Sequence, residues 1–161
     1  PDLAFAHMDF HPGNFMQLSG RKGVQNCGVL DFQDGCIGPI AYDYTNLLKD
    51  IRNDVPQSTI DHVLAKATRD MGSEQRDSFM LWYKLLCVQF HFRLAGQVLR
   101  LALVNGRDDL MAYLPRIMRY LEEEMSDPMF KGLSEFFKQN GVEWSCENLT
   151  VSNEFIAKDA F

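Results

Sequence analysis

The stretch AHMDFHPGN, residues 6–14, concentrates side chains that can do chemistry. His7, Asp9 and His11 alternate with apolar residues, a Pro-Gly pair follows, and Asn14 closes the run. If the stretch is a strand, residues two apart point to the same side. Two imidazoles and a carboxylate would then make the facial set of a non-haem iron centre. If it is a loop, the same residue types can take a proton from a hydroxyl and supply oxygen ligands to a cation that carries phosphates. A third reading asks for no chemistry: His7 bonds a backbone carbonyl in the core, and Asp9 and Asn14 cap turns.

A second acidic cluster favours phosphoryl transfer. Asp31 and Asp34 follow the apolar run GVL in GVLDFQD, residues 28–34, and an iron clamp at residues 7–11 leaves them unexplained. Phosphoryl transfer needs a carboxylate to orient the attacking hydroxyl and oxygen ligands for Mg²⁺ on the phosphates. Asp9 and Asn14 are five apart, the spacing of the catalytic Asp and Asn in H-R-D-x-x-x-x-N, and Asp31-Phe32 ends a strand in the manner of D-F-G. One loop then supplies a base and an amide oxygen, and the next strand end supplies a metal carboxylate.

At this point the residues resemble a known family. HMDFHPGN is similar to the H-x-D-x-H-x-x-N loop of the aminoglycoside phosphotransferase family, the small-molecule branch of the protein-kinase-like fold. GVLDFQDGCIGPIAYDYTNLLKDIRNDV resembles, almost position by position, the bacterial anomeric kinases of N-acetylmuramate and N-acetylglucosamine used in cell-wall recycling. QVLRLALVNGRDDLMAYLPRIMRYLEEEMSDP resembles the C-terminal helices of that subgroup more weakly, so the resemblance spans roughly residues 4–137. It implies ATP and Mg²⁺ as cofactors and a hydroxylated amino sugar, phosphorylated at its anomeric position, as acceptor. It implies Asp9 as catalytic base, Asn14 and Asp31 as Mg²⁺ ligands, and His7, His11 and Asp43 as supports of the loop. Asp43 is expected to accept hydrogen bonds from the loop backbone, and it also fits an N-cap of the following helix. Asp34 and Gln33 are candidates for facing the substrate or flanking the metal, with a solvated loop as the alternative for Asp34. Gln33 stands where D-F-G has its hinge glycine, and Phe90 stands where the subgroup tends to carry a basic residue. Acceptors such as aminoglycosides or choline, or a nucleotide-binding pseudokinase module, are the alternatives to an amino-sugar kinase.

The elements that must position these residues are legible in outline. AFAH (4–7) reads as a strand running into the Asp9–Asn14 loop. FMQL (15–18) and CGVLDF (27–32) read as a hairpin around a turn with Gly20, Gly23 and Asn26. Gly35, Gly38 and Pro39 are expected to break regularity. Helical spacing begins at Tyr42 and runs through Ile51. A second helix opens at Thr59 and Asp61 and runs to about Met71.

Residues 74–104 carry the longest helical signal, apolar on several faces and so expected to be deeply buried. Gly96 offers a close helix contact or a bend. Its aromatic stretch, 79–92, fits core packing better than a sugar-stacking wall. Tyr113–Met125 reads as a further helix with Pro115 at its start, and Asp127-Pro128 caps the last one. His62 and His91 are expected as surface or satisfied core residues, Arg93 and Arg100 as a solvated face, and the EEE run at 122–124 likewise. The resulting class is α+β with a helical bulk, which the resemblance specifies as the C-terminal lobe of a protein-kinase-like fold. Residues 1–141 would form that lobe and 142–161 a tail.

Composition bounds the partners. Hydrophobic residues make up 46% of 161, with 12 Phe, enough for a sizeable core. The net charge of -6 carries no basic footprint for nucleic acid. No run reaches the ~18 apolar residues of a membrane span, and no signal-peptide pattern is present. The four cysteines lack C-x-x-C spacing, which fits free thiols in a reducing cytoplasm. No phosphate-covering G-x-G-x-x-G and no paired lysine strand precede Asp9. An N-terminal lobe is therefore the expected obligatory partner, and the 161 residues alone are expected to turn over little or no ATP.

Overall fold

The computed structural model describes residues 1–142, so all but the first residue of the expected tail lies outside the described residues. The chain is mostly helical with two small antiparallel sheets. It divides into two compact units, Pro1–Cys87 and the residues from Val88 onward.

In the first unit, β1 (Leu3–Ala6) pairs antiparallel with β4 (Cys36–Pro39), in a register that sets Ala6 against Cys36 and Phe5 against Ile37. Strand β4 is the segment whose glycines and proline were expected to break regularity. At Gly38 a Cβ would sit 3.4 Å from the Ala6 methyl, an ordinary contact, so nothing in the packing keeps this segment from pairing as a strand. β2 (Phe15–Gln17) and β3 (Cys27–Val29) form the expected hairpin, with Phe15 opposite Val29. β3 is shorter than CGVLDF allows, because Asp31 takes φ 62, a left-handed conformation that ends strand geometry.

Three helices follow. α1 (Ala41–Leu48) stops before Ile51, since Lys49 leaves helical geometry at ψ 30. α2 (Gln57–Thr68) starts two residues earlier than its candidate cap, directly after Pro56, and ends at Thr68 rather than Met71. α3 (Ser73–Asn105) has 33 residues. Its part up to Cys87 packs Phe79, Tyr83 and Cys87 with Ala41, Leu48 and Ile60 in one core cluster. Tyr44 meets Phe79 edge-on at 5.4 Å, so the aromatic stretch is core here. α3 is not buried on every face, for Leu81 and Leu85 are 46% and 37% exposed. Gly96 faces open space among the described residues and makes no close helix contact.

In the second unit, the rest of α3 ends at Gly106, whose φ of 66 lets the chain turn away. A 3₁₀ segment, Asp108–Tyr113, leads into α4 (Leu114–Met125), with Pro115 in its first turn. Asp127 accepts a hydrogen bond from the Met129 amide and caps Pro128–Phe130, which runs into α5 (Lys131–Gln139). The buried face of α4 carries Leu114, Ile117, Met118, Tyr120 and Leu121. The EEE run is not wholly solvated. Glu124 turns inward, both its oxygens 2.9 Å from Nδ1 of the fully buried His91, whose ring stacks on Tyr120 at 4.8 Å. On the surface, the Arg107 guanidinium donates to Asp109 and holds its carboxyl below the usual carboxylate range. No helix among the described residues is long and apolar enough to cross a membrane.

Candidate active site

The segment after β1 is a loop, not a strand. Met8 has φ 73, so residues 7, 9 and 11 do not share one face. Each histidine is engaged in fixing the chain. His7, 4% exposed, bonds the Leu30 carbonyl through Nε2 at 2.8 Å and faces the Asp9 amide through Nδ1 at 3.4 Å. An imidazole satisfied in this way carries its proton on Nε2 and accepts at Nδ1. His11 accepts from the Gly13 amide at Nδ1, 3.1 Å. No group of three His, Cys, Asp or Glu side chains among the described residues is disposed to hold a metal, so the iron-clamp reading of His7, Asp9 and His11 is set aside.

Helix α1 pins the loop from below. Asp43 Oδ2 accepts from the His7 amide at 2.7 Å, and its Oδ1 accepts from the Met8 amide at 3.2 Å. Asp43 sits in the first turn of α1, while Ile40 occupies the N-cap position. A carboxylate there also suits the positive end of the helix. One turn on, Asn46 donates through Nδ2 to the Met8 carbonyl at 2.8 Å. Met8 thus has both backbone groups tied to α1, which holds it in a conformation that a free chain rarely adopts. The Oδ1 of Asn46 is buried and has no partner among the described residues.

The same pinning sets the acidic side chains. Asn14 Nδ2 donates to the Asp9 carbonyl at 2.9 Å and to Asp9 Oδ2 at 3.2 Å, and His11 Nε2 lies 3.3 Å from that same Oδ2. The Leu30 amide donates to the Asn14 carbonyl at 2.9 Å, so Asn14 and Asp31 flank the same end of the β2–β3 hairpin. Gln33 Nε2 donates to Asp31 Oδ1 at 2.7 Å. In each of the three acidic or amide groups, one polar atom is held by the protein. Asp9 Oδ1, Asn14 Oδ1 and Asp31 Oδ2 have no protein donor among the described residues. Asp9 and Asp31 are exposed and Asn14 half-buried. An amide oxygen and a carboxylate oxygen fit Mg²⁺, which takes hard oxygen donors, few of them from protein, and fills its octahedron with water and phosphate. Asp34 is exposed and makes no hydrogen bond among the described residues, so the structure does not bring it into this network.

Three further residues belong to the network without having been singled out in the sequence. Besides Asn46, they are Asp50 and Arg52, just past α1. Asp50 is 1% exposed. Its Oδ1 accepts from the Arg52 amide at 3.2 Å and from Arg52 Nε at 2.7 Å, and its Oδ2 accepts from Asn53 Nδ2 at 2.7 Å. Arg52 Nη1 lies 3.0 Å from His11 Nε2. The signal available was the charged run DIRND (50–54), which breaks off an apolar helix and so asks where its charges go.

An exposed carboxylate, an amide and a second carboxylate beside a hairpin are donor types that phosphoryl transfer uses. Residues 1–76 match the phosphotransferase enzyme family, APH. It is 35% identical over 123 residues to an N-acetylmuramate/N-acetylglucosamine kinase of Neisseria meningitidis, covering 73% of this chain and 35% of that protein. Enzymes of the same name from Caulobacter vibrioides and Pseudomonas aeruginosa are 29% and 31% identical, over 83% and 73% of this chain and 37% and 35% of their own. The chain thus spans little more than a third of the length of these curated relatives.

Proposed function

We propose that the full-length protein carrying this chain is an ATP-dependent kinase of a cell-wall amino sugar, of the N-acetylmuramate or N-acetylglucosamine type, acting at the anomeric hydroxyl. The observation that carries the reading is the set of three unpartnered oxygens, each on a side chain whose other polar atom is held. Asp9 accepts the hydroxyl proton at Oδ1, while Asn14 and His11 on Oδ2 keep the carboxylate turned toward the acceptor. The sugar oxygen forms its bond to the γ-phosphorus as the bond to the leaving ADP oxygen breaks. Asn14 and Asp31 are the residues that would hold Mg²⁺, which would supply positive charge against the phosphate oxygens. The amino-sugar acceptor rests on the names of the relatives and on the GPIAYDYTNLLKDIRNDV stretch. The remaining half of the nucleotide site belongs to an N-terminal lobe.

Asp9→Asn in the full-length protein tests the base. General-base loss lowers kcat by roughly 10²- to 10⁴-fold, with ATP binding little changed. Wild-type turnover in that variant refutes the role. A panel of acceptor hydroxyls on the wild type separates amino sugars from aminoglycosides and choline.

A further inference from the structure

The kinase reading leaves Arg52 without a task. Its guanidinium is anchored from behind. Asp50, buried to 1% exposure, takes both the Arg52 amide and Nε on one oxygen, and Asn53 fills the other. A carboxylate so deeply buried is tolerable because three donors satisfy it, and it holds the guanidinium plane in a fixed orientation. That side chain is nonetheless 39% exposed, so a ligand can reach it. Nη1 stands 3.0 Å from His11 Nε2, the same nitrogen that lies 3.3 Å from the Asp9 carboxylate.

This last contact does not consume the guanidinium. Nη1 carries two N–H groups, of which His11 Nε2 takes only one, and Nη2 has no protein partner among the described residues. Two parallel N–H groups remain for an acceptor, the geometry that binds a carboxylate in bidentate fashion. The carboxylates in or bonded to this loop are Asp9 and Asp43. An acceptor that itself bears a carboxylate needs one positive charge near Asp9, and Arg52 is the cation in that network.

We propose that Arg52, oriented by Asp50, is the specificity-determining residue that receives the carboxylate of an acidic amino sugar while Asp9 engages its anomeric hydroxyl. The inference rests on the amino-sugar kinase reading above. Of the two sugars in that reading, N-acetylmuramate bears a carboxylate on its lactyl ether and N-acetylglucosamine has none, so the pair isolates the contact.

The test is kcat/KM for both sugars in the full-length protein, wild type against Arg52→Gln and Arg52→Lys. The expected result is a fall of roughly 10- to 100-fold in the ratio of N-acetylmuramate to N-acetylglucosamine for Arg52→Gln, the size of one charged bidentate contact. Arg52→Lys, which keeps the charge and loses the fork, falls between. Whatever Arg52 contributes to holding His11 is shared by both sugars and cancels in the ratio. Equal losses on both sugars, whether through the loop or through folding, overturn the inference and leave the kinase reading standing. So does an unchanged ratio. A wild-type protein that phosphorylates neither sugar overturns the amino-sugar reading and this inference with it.

Discussion

Asp43→Ala strikes the point where helix α1 and the loop after β1 are joined. Two backbone N–H groups, of His7 and Met8, lose a carboxylate acceptor at 2.7 and 3.2 Å. A hydrogen bond to a charged group contributes ~1.5–3 kcal/mol. Asp43 is half-buried, so the lower end applies to each bond. Loss of the acid in the first turn of α1 adds ~0.5 kcal/mol. The expected destabilisation is then about 3.5 kcal/mol in urea unfolding of the chain.

The loop should feel the loss before the rest of the unit. Met8 sits at φ 73, and releasing its amide lets it relax toward a commoner conformation with only the Asn46 contact to its carbonyl in the way. Native-state hydrogen exchange at His7 and Met8 is therefore expected to speed up by about 100-fold, more than at the core amides of α3. Asp43→Asn, which keeps an acceptor oxygen for one of the two amides, should fall between. A cost under ~1 kcal/mol with unchanged exchange at residues 7 and 8 would refute the claim that Asp43 holds the loop.

Two other substitutions probe the frame. At Gly13 an added Cβ would lie 2.7 Å from His11 Cε1 and 3.0 Å from its Nδ1, so Gly13→Ala should displace the ring. We expect a loss of ~1–3 kcal/mol and, in the full-length protein, a lower kcat, read by unfolding and steady-state kinetics. Ile117 in α4 is completely buried, and Ile117→Ala should cost ~2–5 kcal/mol by thermal or urea unfolding. A cost below ~1 kcal/mol would show that its surroundings collapse into the space.

Much was legible in the chain alone wherever the deciding physics is local. The β2–β3 hairpin follows from alternating apolar residues around a glycine-rich turn, and α3 from thirty residues of helical spacing. The cap at Asp127-Pro128 and the stop at Gly106 follow from backbone preferences of single residues. The types and spacing of Asp9, Asn14 and Asp31 stand in the sequence itself, and the roles proposed for them follow from the base and hard oxygens that phosphoryl transfer demands.

Other features were settled by neighbours far away in sequence. Strand β4 has a composition that argues against a strand, and it forms because β1, some 30 residues earlier, offers a complete ladder to pair with. Helix α1 ends at Leu48 although apolar spacing continues to Ile51, since Asp50 and Arg52 leave the helix to reach one another and His11. Glu124 looks like one charge in a solvated run until His91, 33 residues away, is found buried beside it. Residue types and their intervals thus specified which chemistry the chain can attempt. Only folding decided which oxygens stay free to attempt it, because a hydrogen bond between residues 41 apart, such as Arg52 to His11, leaves no periodicity in the sequence to read.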